Sequence, residues 1–81
     1  MEETELLNRF SNILSDILGV ELVPLTMDTV RDDIPDWDSF NYINFIIALE
    51  MEFDVSFGVA DVESFKNVGD IVNALKVLID G

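Results

Sequence analysis

The stretch DWDSFNYINFIIALEMEF, residues 36–53, decides the fold of this chain. Asp36 and Asp38 are both good helix N-cap residues, and their charge suits the positive end of a helix dipole. At about 100° per residue, the apolar residues that follow place a core stripe on one arc of a helix. The stripe consists of Tyr42, Phe45, Ile46, Leu49 and Phe53. The stretch therefore predicts a helix that opens near Asp38 or Ser39 and ends near Glu52.

A second apolar arc lies on nearly the opposite side of the same predicted helix. It consists of Phe40, Ile43, Ile47 and Met51. A helix that is apolar all round is either buried or in contact with something else. One interpretation is that the preceding loop covers this arc with Leu25, Val30 or Ile34. The other is that the arc stays exposed as a surface for a partner or a ligand.

Helical spacing recurs on both sides of this segment. Apolar residues at intervals of three and four predict a first helix over residues 3–18 and a last helix that starts after Asn67. Ala60–Phe65 is expected to form a short helical turn. Residues 19–37 predict an ordered loop in which Trp37 is most simply a hydrophobic anchor. We expect one all-α domain over the whole chain, a small four-helix bundle with three long helices, one short helix and a long loop between helices one and two.

Composition excludes several function classes. The 81 residues include 17 acidic and 4 basic side chains, and the net charge of −13 disfavours binding to nucleic acid or to an anionic membrane surface. Without Cys or His, the chain has no thiolate nucleophile, no imidazole base and no Cys-based metal site. Its start, MEETE, lacks the regions of a signal peptide, and no apolar run reaches the roughly 18 residues that cross a membrane. A soluble cytoplasmic protein is expected.

An acidic cluster before the central helix invites comparison with a calcium loop. The cluster consists of Asp32, Asp33, Asp36 and Asp38. An EF-hand loop needs a Gly at its sixth position and a Glu at its twelfth, whereas a loop that starts at Asp33 has Asp38 and Asn44 there. No metal site is therefore predicted.

Three segments taken together resemble the acyl carrier protein family. Asp38-Ser39-Phe40 is similar to the family's Asp-Ser-Leu attachment site, and Ala48–Phe53 is similar to the Ala-Leu-Glu-Glu-Glu-Phe end of the helix that follows it. Asn67–Val72 is similar to the Thr-Val-Gly-Asp-Leu-Val start of the family's last helix. Order, spacing, length and acidity agree over about residues 5–79.

The resemblance implies a right-handed four-helix bundle in which Ser39 is esterified through phosphate to 4′-phosphopantetheine, with Asp38 helping a transferase to dock. No catalytic residue is implied, because the arm would carry acyl groups as thioesters in fatty acid, polyketide or related biosynthesis. The implied partners are a phosphopantetheinyl transferase and enzymes that load and process the acyl group, and the chain is expected to be a monomer. Two alternatives stay open: an aminoacyl or peptidyl carrier, and an unmodified helical interaction module.

The chain departs from the family pattern on the helix that follows Ser39. Phe40 replaces the usual Leu or Met, and Asn41, Asn44 and Met51 stand where acidic residues are common. In the family this helix docks on basic patches of partner enzymes. The departures therefore indicate a dedicated carrier rather than the general carrier of fatty acid synthesis. The predicted partner-binding residues are Phe40, Ile43, Asn44, Ile47 and Met51.

Overall fold

The computed structural model of the chain describes residues 2–80. Over this range it contains four α-helices and no β-strand. The helices are α1 (Glu3–Leu18), α2 (Ser39–Phe53), α3 (Val59–Ser64) and α4 (Val68–Asp80). The predicted all-α fold is confirmed. α2 ends one residue later than expected, and α3 begins and ends one residue earlier than expected. A 3₁₀ helix at Arg31–Asp33, inside the long loop, was not predicted.

The core forms where α1, α2 and α4 meet. The largest fully buried side chains all come from these helices: Leu6, Phe10, Leu14, Phe45, Leu49, Val68, Ile71, Val72 and Leu75. Phe10 and Phe45 pack edge to face, with ring centroids 5.6 Å apart. The long loop adds Val23, Leu25 and Trp37 to this core, so it is an ordered layer of the fold, as predicted.

The start of the long loop is fixed to the end of α1. Gly19 takes a left-handed conformation, φ 69°, which glycine adopts without strain, and its N–H donates to the carbonyl of Ser15 at 2.9 Å. Ser15 itself is buried, and both functions of its hydroxyl are used. Its Oγ donates to the carbonyl of Ser11 at 2.7 Å and accepts from the backbone N–H of Val23 at 2.9 Å. The hydrogen bonds of Ser15 therefore hold the first turn of the loop, and the buried hydroxyl has both a donor and an acceptor partner.

The middle of the loop is fixed to the start of α4. The first N–H groups of a helix have no partner within it. In α4, Val68 donates to the carbonyl of Thr29 and Gly69 to that of Met27, both at 2.8 Å. Asn67 caps this helix, which starts directly after it as the sequence predicted: its Oδ1 accepts from the N–H of Asp70 at 2.8 Å. These bonds hold the following loop residues beside the start of α2.

Candidate functional site

Ser39 is the first residue of α2, and its side chain is exposed. Of the two candidate caps, Asp38 is the one used: its Oδ1 accepts from the N–H of Asn41 at 2.9 Å. The hydroxyl of Ser39 therefore does not cap the helix, and it lies at the N-terminal end of the helix. Backbone N–H groups at such an end favour a bound anion.

The turn that precedes Ser39 is held from several sides. Asp36 has a left-handed backbone, φ 68°, and its carbonyl accepts from the side-chain amide of Asn41 at 2.9 Å. Trp37 is only 4% exposed and packs edge to face on Phe45, with ring centroids 5.4 Å apart. Trp37 is thus the hydrophobic anchor that the sequence suggested. Ser39 consequently sits on a rigid junction between loop and helix.

Arg31, from the 3₁₀ helix, lies beside Ser39. Its Nη1 donates to Ser39 Oγ at 3.5 Å, and its guanidinium stacks over the ring of Tyr42 at 4.8 Å from the centroid. Sequence reasoning missed Arg31, because only the folded loop brings it to the start of α2. The contact places a cation, rather than a general base, next to the serine hydroxyl. The arrangement therefore suits holding an anion at Ser39 and does not activate Ser39 as a nucleophile.

A cavity of about 190 Å³ adjoins this site, between the long loop, α2 and the start of α4. Its lining includes Arg31, Trp37, Tyr42, Phe65 and Lys66. The hydroxyl of Tyr42 donates to the carbonyl of Val62 at 2.9 Å. Burial raises the pKa of Tyr42, Arg31 acts to lower it, and Asp70 adds to the rise. The phenol is therefore neutral at physiological pH.

The second apolar arc of α2 is exposed. Phe40 and Met51 are 75% and 79% exposed, and Ile43 and Ile47 about half. Leu25 is buried in the core and Ile34 packs against the core, and the exposure of Phe40 and Met51 contradicts the interpretation that the loop covers this arc. Asn44 lies on the same side of the helix and is half-buried. The structure thus places all five predicted partner-binding residues on one side of the helix that Ser39 begins.

Glu50 lies at the edge of this exposed arc, seven residues after Ile43, and Glu52 lies farther round α2. Glu50 Oε2 accepts from the backbone N–H of Phe57 at 2.8 Å. Glu52 pairs with Arg9 of α1, with 3.2 Å between Arg9 Nη1 and Glu52 Oε2. Both carboxylates therefore serve contacts within the fold, which could not be read from their position in the sequence. The exposed arc is apolar apart from Asn44, with Glu50 at its edge.

Two further features of residues 2–80 bear on other kinds of site. No group of three or more His, Cys, Asp or Glu side chains there could hold a metal ion. None of the helices in this range is long and apolar enough to cross a membrane.

Comparisons with known proteins agree with this geometry. The family model described as "Phosphopantetheine attachment site" matches residues 8–75. An acyl carrier protein of Clostridium acetobutylicum is 32% identical over 68 residues, 84% of this chain and 88% of the relative. One of Lactobacillus acidophilus is 32% identical over 76 residues, 94% of this chain and 95% of the relative.

A solved structure shows the same fold. The solution NMR structure of a holo acyl carrier protein from Geobacter metallireducens superposes with a TM-score of 0.76 at 30% identity. The match covers 91% of this chain and 80% of that one. The resemblance carried by residues 38–40, 48–53 and 67–72 is confirmed. The chain belongs to the acyl carrier protein family, a family of carriers that bear phosphopantetheine rather than of catalysts.

Proposed function

We propose that this protein carries acyl groups on a 4′-phosphopantetheine arm attached to Ser39. The observation that carries the proposal is the position of Ser39: exposed, first in α2, and within 3.5 Å of the Arg31 guanidinium. A phosphodiester formed on Ser39 Oγ would meet the N–H groups of the helix end and the charge of Arg31. The residues present therefore fit the group that the family carries.

The side chains at the site hold the arm and do no chemistry on it. When bound, the arm supplies a thiol that takes up the acyl group as a thioester. Asp38 fixes the helix start through one carboxylate oxygen and is exposed, so its charge remains accessible to a docking transferase. Because the chain has neither His nor Cys, the transferase and the acyl-processing enzymes must supply catalysis.

The relatives favour acyl cargo over the two alternatives. The curated relatives are acyl carrier proteins, and the solved structure is of a holo acyl carrier protein. These names support acyl transfer in fatty acid, polyketide or related biosynthesis more than aminoacyl or peptidyl transfer. An unmodified interaction module is the alternative that a modification assay tests directly.

Ser39→Ala is expected to abolish modification. With a phosphopantetheinyl transferase and coenzyme A, the natural chain should gain about 340 Da as a covalent addition. Ser39→Ala should gain nothing and remain folded, because its side chain is exposed and Asp38 still caps the helix. Intact-mass spectrometry is the measurement. Ser56→Ala, at an exposed serine between α2 and α3, is the matched control and should be modified normally. A mass gain in Ser39→Ala, or none in the natural chain, would refute the assignment.

We also propose that the exposed apolar arc of α2 docks the enzymes that load or process the acyl group. Phe40, Ile43, Ile47 and Met51 form a continuous apolar surface that begins beside Ser39. A partner on this arc would meet mainly apolar side chains and Asn44, with Glu50, bonded to Phe57, at the edge of the arc and the half-exposed Glu52, paired with Arg9, outside it. An enzyme with an apolar docking site fits this surface better than one with a basic patch.

Ile47→Ser is expected to slow acyl transfer between the holo protein and its own loading enzyme by about tenfold or more, the usual effect of truncating a central apolar contact. Initial rates of acyl transfer at subsaturating carrier are the measurement. Leu22→Ser removes a similar apolar side chain, 68% exposed, from the long loop and is the matched control. Equal rates for Ile47→Ser and Leu22→Ser would show that α2 does not dock the enzyme.

A further inference from the structure

Arg31 contacts two side chains of α2 at once. Its Nη1 donates to Ser39 Oγ at 3.5 Å, and its guanidinium carbon lies 4.8 Å from the centroid of the Tyr42 ring. The bond to the hydroxyl is long and its acceptor is neutral, so it is weak. Because Arg31 is also exposed, the ring of Tyr42 is the main surface that orients its guanidinium in the unmodified protein.

Tyr42 connects this contact to α3. Its ring faces Arg31, and its hydroxyl donates to the backbone carbonyl of Val62 at 2.9 Å. Trp37 lies against the same ring, with centroids 6.2 Å apart. Burial raises the pKa of Tyr42 and Arg31 opposes that rise, which is a second sign that the cation and the phenol lie close together. One half-buried side chain therefore contacts both the cation beside Ser39 and the backbone of α3.

The short helix α3 needs contacts from outside itself. It has six residues, none of them buried, and its N-cap Gly58 has no side chain that could accept a hydrogen bond. A helix of this length is not stable by itself in water. The hydrogen bond from Tyr42 to Val62 joins it to α2. A contact that holds Tyr42 in place therefore helps to hold α3.

A phosphodiester on Ser39 would change the acceptor that Arg31 meets. A charged phosphate oxygen is a much stronger acceptor for a guanidinium than a neutral hydroxyl is, and the planar group of arginine suits phosphate. Restricting Arg31 in this way would keep its guanidinium over the ring of Tyr42. The modification at Ser39 should then restrain Tyr42 and, through its hydroxyl, α3.

We infer that Arg31 is a positioning residue that links modification of Ser39 to the order of α3 through the ring and hydroxyl of Tyr42. The inference rests on the proposed attachment at Ser39 and adds a form of regulation at the same site. α3 is held more firmly in the modified protein than in the unmodified one. A partner enzyme that contacts α3 would thereby distinguish the two forms without contacting the arm.

Hydrogen exchange of the Val62 amide reports on α3. This amide donates to the carbonyl of Gly58 at 3.0 Å, so it exchanges when the helix opens. We expect exchange to be about two- to fivefold slower in the modified protein than in the unmodified one, the factor expected from one exposed cation–π contact. A transferase and coenzyme A load each protein to completion, and intact-mass spectrometry confirms the loading first.

Three variants test the two links. Arg31→Gln should remove the difference in exchange, because it lacks the charge that the phosphodiester binds. Tyr42→Phe keeps the ring but loses the bond to Val62, so it should remove the difference as well. Lys76→Gln takes one positive charge from α4, at a residue that does not line the cavity beside Ser39. It is the matched control and should keep the difference.

The ³¹P signal of the phosphodiester tests the first link separately. It should shift in Arg31→Gln and stay near its natural position in Lys76→Gln, because only Arg31 contacts Ser39. No mass gain in the natural chain would refute attachment itself. Three results with the loaded protein would overturn the inference on Arg31 alone: equal Val62 exchange in the two forms of the natural chain, an exchange difference that survives in Arg31→Gln or Tyr42→Phe, or the same ³¹P signal in Arg31→Gln and Lys76→Gln.

Discussion

Leu49→Ala is expected to destabilise the protein by about 2–5 kcal/mol, the usual cost of emptying a fully buried leucine site. Leu49 is 0% exposed and belongs to the core where α1, α2 and α4 meet. A small domain has only about 5–15 kcal/mol of stability in total, so this one change should leave a sizeable unfolded fraction on mild heating. Urea unfolding followed by circular dichroism measures the loss.

Ile47→Ser is the comparison variant for Leu49→Ala. Ile47 lies two residues away on the same helix and is 48% exposed, so its truncation should cost much less than that of Leu49. An Ile47→Ser protein as unstable as Leu49→Ala would mean that the apolar arc of α2 is buried in solution. The proposal that this arc docks partner enzymes would then be wrong.

Gly69→Ala is expected to destabilise the protein by about 1–3 kcal/mol, as overpacking of a tight site usually does. In an open helix position the same change would stabilise, because alanine is the better helix former. Here a Cβ on Gly69 would lie 2.7 Å from the carbonyl oxygen of Met27, a backbone atom of the long loop. The same oxygen accepts the Gly69 N–H at 2.8 Å, so relieving the clash weakens that hydrogen bond.

Hydrogen exchange distinguishes this mechanism from a general loss of stability. Under native conditions, the Val68 and Gly69 amides should exchange faster in Gly69→Ala than expected from the change in global stability, because both donate to the loop. Gly58→Ala is the control: the nearest atom to its added Cβ is a carboxylate oxygen of Asp61 at 3.3 Å, on a side chain that can move. If Gly69→Ala were as stable as Gly58→Ala, the loop would be able to move away from the added Cβ with no loss in the free energy of unfolding, and the prediction would be wrong.

The helices could be predicted from the sequence because their signals are local. Gly19 ends α1, and Asp38 and Asn67 cap the two helices that follow them, each through a short-range geometry that the residue type favours. The core stripe of α2 was visible for the same reason, since Phe45 and Leu49 repeat at the helical period. The position of Ser39 at a helix start followed directly from these signals.

The contacts of the long loop could not be predicted, because they depend on residues distant in sequence. Arg31 contacts Ser39 because the loop that carries it is folded back and bonded to the start of α4. Lys66 joins the same cavity from the α3–α4 connection, with no motif that links the two cations. Glu50 accepts from the backbone N–H of Phe57, a contact that its position in the sequence does not reveal. Tertiary contacts, rather than local propensity, decide what these three side chains do.

The attachment of the long loop to α4 has a consequence for how the protein can evolve. Met27 and Thr29 contribute carbonyl oxygens to this junction, and every residue type supplies a carbonyl. Substitutions at these two positions therefore keep both carbonyl acceptors, but they remove the packing of Met27 on the core and the hydrogen bond that Thr29 Oγ1 accepts from the N–H of Thr26. Gly69 tolerates no larger residue without movement of the backbone. A designed library could randomise the exposed side chains of the loop while holding Gly69 constant. Such a library would change the surface beside Ser39 and leave the hydrogen bonds that hold the loop on α4 intact.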